Sequence, residues 1–428
     1  MTTTHSFAYG DDVVTVELDD KCYRQVIRGE PLPTEYSEDE VICEALKNPI
    51  ASSDLSELVQ EGESVCIVIG DMTRSWVRHH VIIPHVIEEL QRGGVEMEDI
   101  VVVCATGDHR AHTPEEHAAL VGEDLASRLR IVDHNARCKD DLVYMGHTTN
   151  ETPVWVNSEV ASADRVVLIG GIVFHFLAGF GGGGKAILPG VSGYDTIMAN
   201  HSLALSKRQG GGINTEVSAG KTDGNPCYED IAAGASMVGP TFLVNVIVDD
   251  DRHRICMAVA GDMLSAHRVG CRLVENHYSC PIEGREKLVI ASPGGYPKDI
   301  NLYQTYKTLY NARAAVTSGG TMVIISQCRE GMGNSDFESM LVDYENNKER
   351  EQALREAFTI GGYMGFHTAV MARECDILLL SSMDHRLVSR CGLVPVGNIE
   401  EAMAFIRDKH GEIPAAHLMP FGSVLPVE

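Results

Sequence analysis

Three runs constrain the fold more than anything else in the chain: ESVCIVIGD (63–71), DIVVVCATGDHR (99–110) and RVVLIGGIV (165–173). Each is rich in Val, Ile, Leu and Cys with no polar alternation, and each breaks at glycine near its end. A strand that is apolar on both faces must be covered on both, which helices do in a parallel sheet. Helical patterns follow the first two runs. VIIPHVIEELQRGG (81–94) closes on Gly93 and Gly94, and TPEEHAALVG (113–122) opens with Thr113 as N-cap, Pro114 at the first position and Glu116 set for a capping box. The alternation predicts an α/β fold, in which ligands bind beyond the carboxyl ends of the strands.

The pattern restarts at KLVIASPGG (287–295), with strands TMVIIS (321–326) and DILLLSS (376–382) between helices YQTYKTLYNARAAVTSGG, NKEREQALREAF and NIEEAMAFIRDKHG. Earlier, VVTVEL (13–18) alternates as a strand and YDTIMANHSLALSKR (194–208) reads as a helix before the connector GGGINTEV. FLVNVIVDD (242–250) reads as a strand, and ICMAVAGDMLSAHRVGCRLVENHYS (255–279) as helical throughout. A chain of 428 residues exceeds one ordinary core. We therefore expect two α/β domains, 1–277 and 278–428, with the site in the cleft between them.

A formal charge of −26 argues against nucleic acid or an anionic membrane surface as partner, though not against an anionic small molecule held by local cations. MTTTHSFAYGDD lacks a basic stretch followed by an apolar one, and no apolar run reaches the roughly 18 residues of a membrane span. The twelve cysteines form no CxxC, and several sit in strand-like runs, as reduced thiols of a cytoplasmic protein would. The sequence leaves the oligomeric state open.

Chemistry-bearing residues gather at the strand tips. The first tip gives Asp71, Thr73 and Arg74, and the second Thr106, Gly107, Asp108, His109 and Arg110. The third runs into FHFLAGFGGGGKAILPG (174–190), which holds His175, the glycines Gly181 to Gly184, and Lys185; His201 follows on the next helix. Beyond KLVIASPGG come Lys298, Gln304 and Lys307. Four consecutive glycines serve close approach to a ligand or a tight crossing. Gly179 to Lys185 nearly matches a phosphate-binding P-loop, but Ala186 stands where that motif needs a magnesium-binding Ser or Thr. His175, between Phe174 and Phe176, would equally suit a core histidine, and His79, His80, His117 and His410 read as solvated.

Taken in order, DMTR (71–74), GDHRAHT (107–113), HFLAGFGGGGKAILPG (175–190), ANHS (199–202) and GGYPKDINLYQTYK (294–307) resemble the nickel-pincer lactate racemase family. The resemblance implies a 2-hydroxyacid racemase or epimerase carrying a nickel-pincer nucleotide, a pyridinium-3,5-bisthiocarboxylic acid mononucleotide that holds nickel and is covalently attached at Lys185. It implies His201 as nickel ligand and His109 and His175 as the two bases. Arg74, Gln304 and Lys307 match the substrate-binding positions, while Asp71, Thr73, Thr106, Gly107, Gly182, Gly183 and Gly184 would line the cofactor. Cofactor-biosynthesis proteins would be partners.

The chemistry agrees with that resemblance. A proton α to a carboxylate is a very weak acid, so inversion by hydride removal to an electrophile, through a planar 2-keto acid, avoids the carbanion. Histidines suit the hydroxyl proton, and Arg74 and Lys307 the carboxylate. Sulfur with imidazole suits square-planar nickel. The chain departs from the family where Ser75, Trp76 and Val77 stand in place of PxP, where Gly181 replaces a serine, and at Phe174. These positions bear on which 2-hydroxy acid is used: Trp76 and Phe174 would either shape a pocket for a larger or more apolar acid or merely pack. Two other readings remain at this point: a phosphate- or nucleotide-ligand enzyme using Lys185 as a non-covalent clamp, and a non-catalytic cofactor binder.

Overall fold

The computed structural model describes residues 1–249 and 252–428, so Asp250, expected at the end of a strand, lies outside the described residues. The chain divides into two compact units. One comprises Pro31–Ala204 and Thr215–Asn276; the other comprises Met1–Glu30, Leu205–Asn214 and His277–Glu428.

The first unit is built on a six-stranded sheet in the order Arg254–Gly261, Thr241–Asp249, Arg165–Gly171, Val65–Gly70, Ile100–Ala105 and Arg130–Asp133. All neighbours are parallel except the edge strand Arg254–Gly261, which runs antiparallel to Thr241–Asp249. Successive side chains leave opposite faces, and both faces are apolar. Ile67, Ile69, Val102, Val167 and Val244 enter one core, and Cys66, Val68, Val103, Val166 and Leu168 the other. The three unalternating runs are thus buried strands covered on both sides. The chain winds outward from Val65–Gly70 to Arg130–Asp133, then returns to the opposite side of Val65–Gly70 with Arg165–Gly171. That reversal opens a crevice at the carboxyl ends of these two neighbours.

The second unit has a six-stranded, wholly parallel sheet in the order Val394–Val396, Asp376–Leu380, Val316–Ile325, Glu286–Ala291, Ala416–Met419 and Tyr23–Val26. The antiparallel hairpin Thr2–Tyr9/Asp12–Asp19 sends Phe7, Val16 and Leu18 into this unit's core. Two expectations are corrected here. The first thirty residues, assigned from sequence to the amino-terminal domain, belong with the carboxyl-terminal one, because Tyr23–Val26 pairs with Ala416–Met419. Residues 255–279 are not one helix: Arg254–Gly261 is a strand, Gly261 turns at a φ of +125°, and the helix begins at Met263. ICMAVAG lacks bulky alternation, and cross-strand pairing to Thr241–Asp249 decides its conformation. No helix among the described residues is long and apolar enough to cross a membrane.

Candidate active site

The strand Val65–Gly70 ends on a tight turn, Met72–Val77, at the edge of the crevice. Asp71 opens it with only 2% of its surface exposed. Its carboxylate takes three donors: Nδ1–H of His109 on Oδ2, and the Thr73 hydroxyl (2.6 Å) and Arg74 guanidinium (2.8 Å) on Oδ1. Burial alone would raise this carboxyl's pKa. The His109 hydrogen bond and the Arg74 charge outweigh burial and hold it well below the usual carboxylate range. Because Asp71 accepts at His109 Nδ1, the neutral ring keeps its lone pair on Nε2, as a general base requires. Half of the His109 side chain stays exposed.

His109 sits one strand over, past Ile100–Ala105. Gly107 N–H donates to Gly190 O at 2.9 Å and the Thr106 hydroxyl to His134 O at 2.6 Å. Asp108 forks onto Arg137, whose guanidinium stacks 3.9 Å over Tyr194, the first residue of the helix that carries His201.

Past Arg165–Gly171 the chain makes a small hairpin, with Phe174 opposite Phe180 and His175 opposite Gly179. Gly179 is required there: its φ is +73°, and a β-carbon would meet Lys221 O at 2.0 Å. His175 Nδ1 accepts from the N–H groups of Leu177 (3.1 Å) and Ala178 (3.2 Å), and the ring stacks on Phe176. Gly183 lies at a φ of +59°, with the His267 ring where a β-carbon would go and with its N–H on Asn245 Oδ1. His267 Nε2 in turn donates to Gly181 O at 2.8 Å. A cradle of backbone N–H groups is therefore not what the run offers throughout: the N–H of Gly181 is bound to Val173 O and that of Gly183 to Asn245. The run crosses closely over His267 and Asn245, and the short helical turn Gly183–Ala186 then presents Lys185.

His201, 6% exposed, donates Nδ1–H to Ile197 O at 2.9 Å one helical turn back. That bond fixes the tautomer with Nε2 unprotonated. Burial, reinforced by the Lys185 charge, pushes the pKa down to about 3, so the ring is neutral, as a metal ligand must be. Gln304 and Lys307 belong to the other unit, on one face of the helix Leu302–Ala312, where Lys307 Nζ donates to Gln304 Oε1 at 3.0 Å.

Two readings from sequence change. His79 is buried, not solvated: its Nε2 accepts Gly70 N–H, and burial lowers its pKa to about 3. His117 joins Cys104, His112 and Asp133 in a group whose four ligand-type atoms lie within 4.8 Å of one another. Trp76 packs its ring edge against Gly171 and into the core. Asn245 and His267 carried no signal in the sequence, and the motif GDHRAHT did not single out His112, since each acts through partners 21 or more residues away.

Residues 9–212 match the model of the lactate racemase N-terminal domain, and residues 283–424 that of the lactate racemase C-terminal domain. The chain is 34% identical over 426 residues to the lactate racemase of Lactiplantibacillus plantarum, covering 97% of each. It is 30% identical over 331 residues to that of Thermoanaerobacterium thermosaccharolyticum, covering 77% of this chain and 75% of the relative. The solved structure of the lactate racemase apoprotein from Thermoanaerobacterium thermosaccharolyticum superposes with a TM-score of 0.91 at 27% identity, covering 100% of both chains. A Thermotoga maritima protein, 16% identical with a TM-score of 0.67, shares the fold over 93% of this chain and 99% of its own. With both domain models matched in order and a relative alike over nearly its whole length, this chain belongs to the lactate racemase family of isomerases.

Proposed function

We propose that the protein inverts C2 of a small 2-hydroxy acid, lactate or a close analogue, with His109 and His175 as the proton-handling groups. The observation that carries this reading is the buried Asp71 carboxylate, which holds His109 as a base at Nε2 and Arg74 beside it. His109 Nε2 takes the substrate hydroxyl proton; the Arg74 guanidinium pairs with the carboxylate and fixes which face C2 presents. His175 serves the opposite enantiomer. Its neutral form, as the two backbone N–H groups hold it, carries the proton on Nε2, so it enters the reaction in a different protonation pattern from His109. Gln304 and Lys307 are the further candidate substrate-binding residues.

The residues present fit the cofactor that the family resemblance implies. Lys185 would carry the nucleotide and His201 would bind nickel through the nitrogen that its Ile197 bond leaves unprotonated. When bound, that group would supply the electrophile that accepts the C2 hydrogen with its electron pair. The chain's own part is to hold the acid, move the hydroxyl proton and keep both histidines oriented. Intact mass and nickel content of protein made alongside the cofactor-producing machinery test the reading, together with polarimetry on D- and L-2-hydroxy acids. An adduct at Lys185, one nickel per chain and convergence from both enantiomers are expected. An unmodified, nickel-free and inactive chain from such a host refutes it.

A further inference from the structure

The group of Cys104, His112, His117 and Asp133 has the donor chemistry of a metal centre, but its hydrogen-bond directions point elsewhere. Met72 N–H donates to His112 Nε2 at 3.1 Å, so that nitrogen holds the lone pair and Nδ1 the proton. Nδ1–H donates to Asp133 Oδ1 at 2.6 Å, His117 Nε2–H to the same oxygen at 3.0 Å, and the His112 backbone N–H to Oδ2 at 2.8 Å. A metal on His112 Nδ1 would move the proton to Nε2, where it would face the Met72 N–H donor to donor. Ligating histidines instead give their second N–H to an acceptor.

The same directions tie the group to the site. The peptide joining Asp71 to Met72 is held from both sides, its N–H by His112 and its carbonyl oxygen by Arg74 N–H at 2.8 Å. His112 is itself fixed: its side chain is 3% exposed, and Asp133 ends a strand paired in register with Ile100–Ala105. We infer that His112 is a positioning residue that accepts Met72 N–H and thereby holds Asp71 where its carboxylate orients His109. The inference rests on His109 being a base of the reaction.

Two conservative variants separate this role from ordinary packing. His112→Gln can place an amide oxygen near the former Nε2 and keep the acceptor for Met72, at the expense of Asp133. His112→Asn keeps an amide N–H for Asp133 and leaves Met72 without its acceptor. Two quantities are read: the imidazole ¹⁵N resonances of His109 in histidine-labelled, cofactor-free protein, and kcat and KM of the loaded enzyme. The expected result is that Asn disturbs the Nδ1–H pattern of His109 and lowers kcat roughly ten- to a hundredfold with KM little changed. Gln should stay near wild type in both. If the role is packing around Asp133, Gln is the damaging variant, and that ordering overturns the inference. It is also overturned if neither variant moves the His109 resonances, or if wild type retains one zinc per chain against a chelator and Asp133→Asn loses it. The resonances are read without turnover. The expected ¹⁵N pattern in a wild-type protein that racemises nothing therefore supports the brace and counts only against the proposed function.

Discussion

Replacing Gly183 by alanine tests whether the glycine run is shaped by its own packing. Three effects add. A φ of +59° costs an L-residue about 1–2 kcal/mol. The new β-carbon would lie 2.6 Å from His267 Cγ and 2.7 Å from Cδ2, inside contact distance, and forcing a ring aside in a filled core costs about 1–3 kcal/mol. Shifting the ring also weakens its 2.8 Å bond to Gly181 O, worth about 1 kcal/mol. A destabilisation of roughly 3–6 kcal/mol follows from these together. The assay is urea unfolding of cofactor-free protein by tryptophan fluorescence. Both tryptophans, Trp76 and Trp155, lie in the unit that carries the glycine run, so the signal reports that unit without the other. Gly62→Ala is the control: its φ is +81° with nothing within 4 Å, so it should lose only the backbone part, about 1–2 kcal/mol. His267→Ala in the Gly183→Ala background should recover part of the loss. If Gly183→Ala is no less stable than Gly62→Ala, the packing account is wrong, and the glycines are kept for something the chain does not itself contain.

His175→Asn should keep an acceptor for Leu177 and Ala178 N–H and so retain the hairpin and any Lys185 adduct, while turnover falls roughly 10²–10⁴-fold. His175→Ala should lose thermal stability as well, and equal stability of the two variants would contradict the acceptor role. Acid sensitivity follows from buried neutral histidines. Burial lowers His79, His201 and His367 to about 3 and His267 to about 4, against 6.5 for a free ring. Between those values the unfolded chain binds more protons, so stability is full above about 6.5 and drains away as pH falls toward about 3. Asp71, depressed below the carboxylate range, withdraws its own contribution only in stronger acid. Equal urea midpoints at pH 7.5 and pH 5 would refute this.

What was legible in the sequence was what depends on near neighbours. Thr113, Pro114 and Glu116 do cap a helix, with both bonds of the capping box formed. Unalternating strands implied two covered faces, and polar residues past their ends marked the candidates for a site. Contacts across long separations were not legible. Asn245 meets Gly183 from a strand 62 residues on, and His267 reaches Gly181 from 86 residues away. Nothing in GGGG distinguishes a ligand cradle from a crossing over a buried histidine. Similarly, GDHRAHT marks a strand tip but not that His112 turns toward Asp133 while His109 turns toward Asp71. The edge strand Arg254–Gly261 reads like a helix start, because small residues satisfy either state until a partner strand is present.

The placement of Tyr23–Val26 at the edge of the carboxyl-terminal sheet bears on synthesis. A ribosome delivers that strand long before its pairing partner, Ala416–Met419. The intervening unit can close as soon as residue 276 is out, while Tyr23–Val26 still lacks its partner strand and Phe7, Val16 and Leu18 of the hairpin are still uncovered. A fragment beginning at 278 would lack an edge strand and expose the apolar ground those three side chains occupy. The order in which the molecule is made therefore differs from the order in which its halves can be finished.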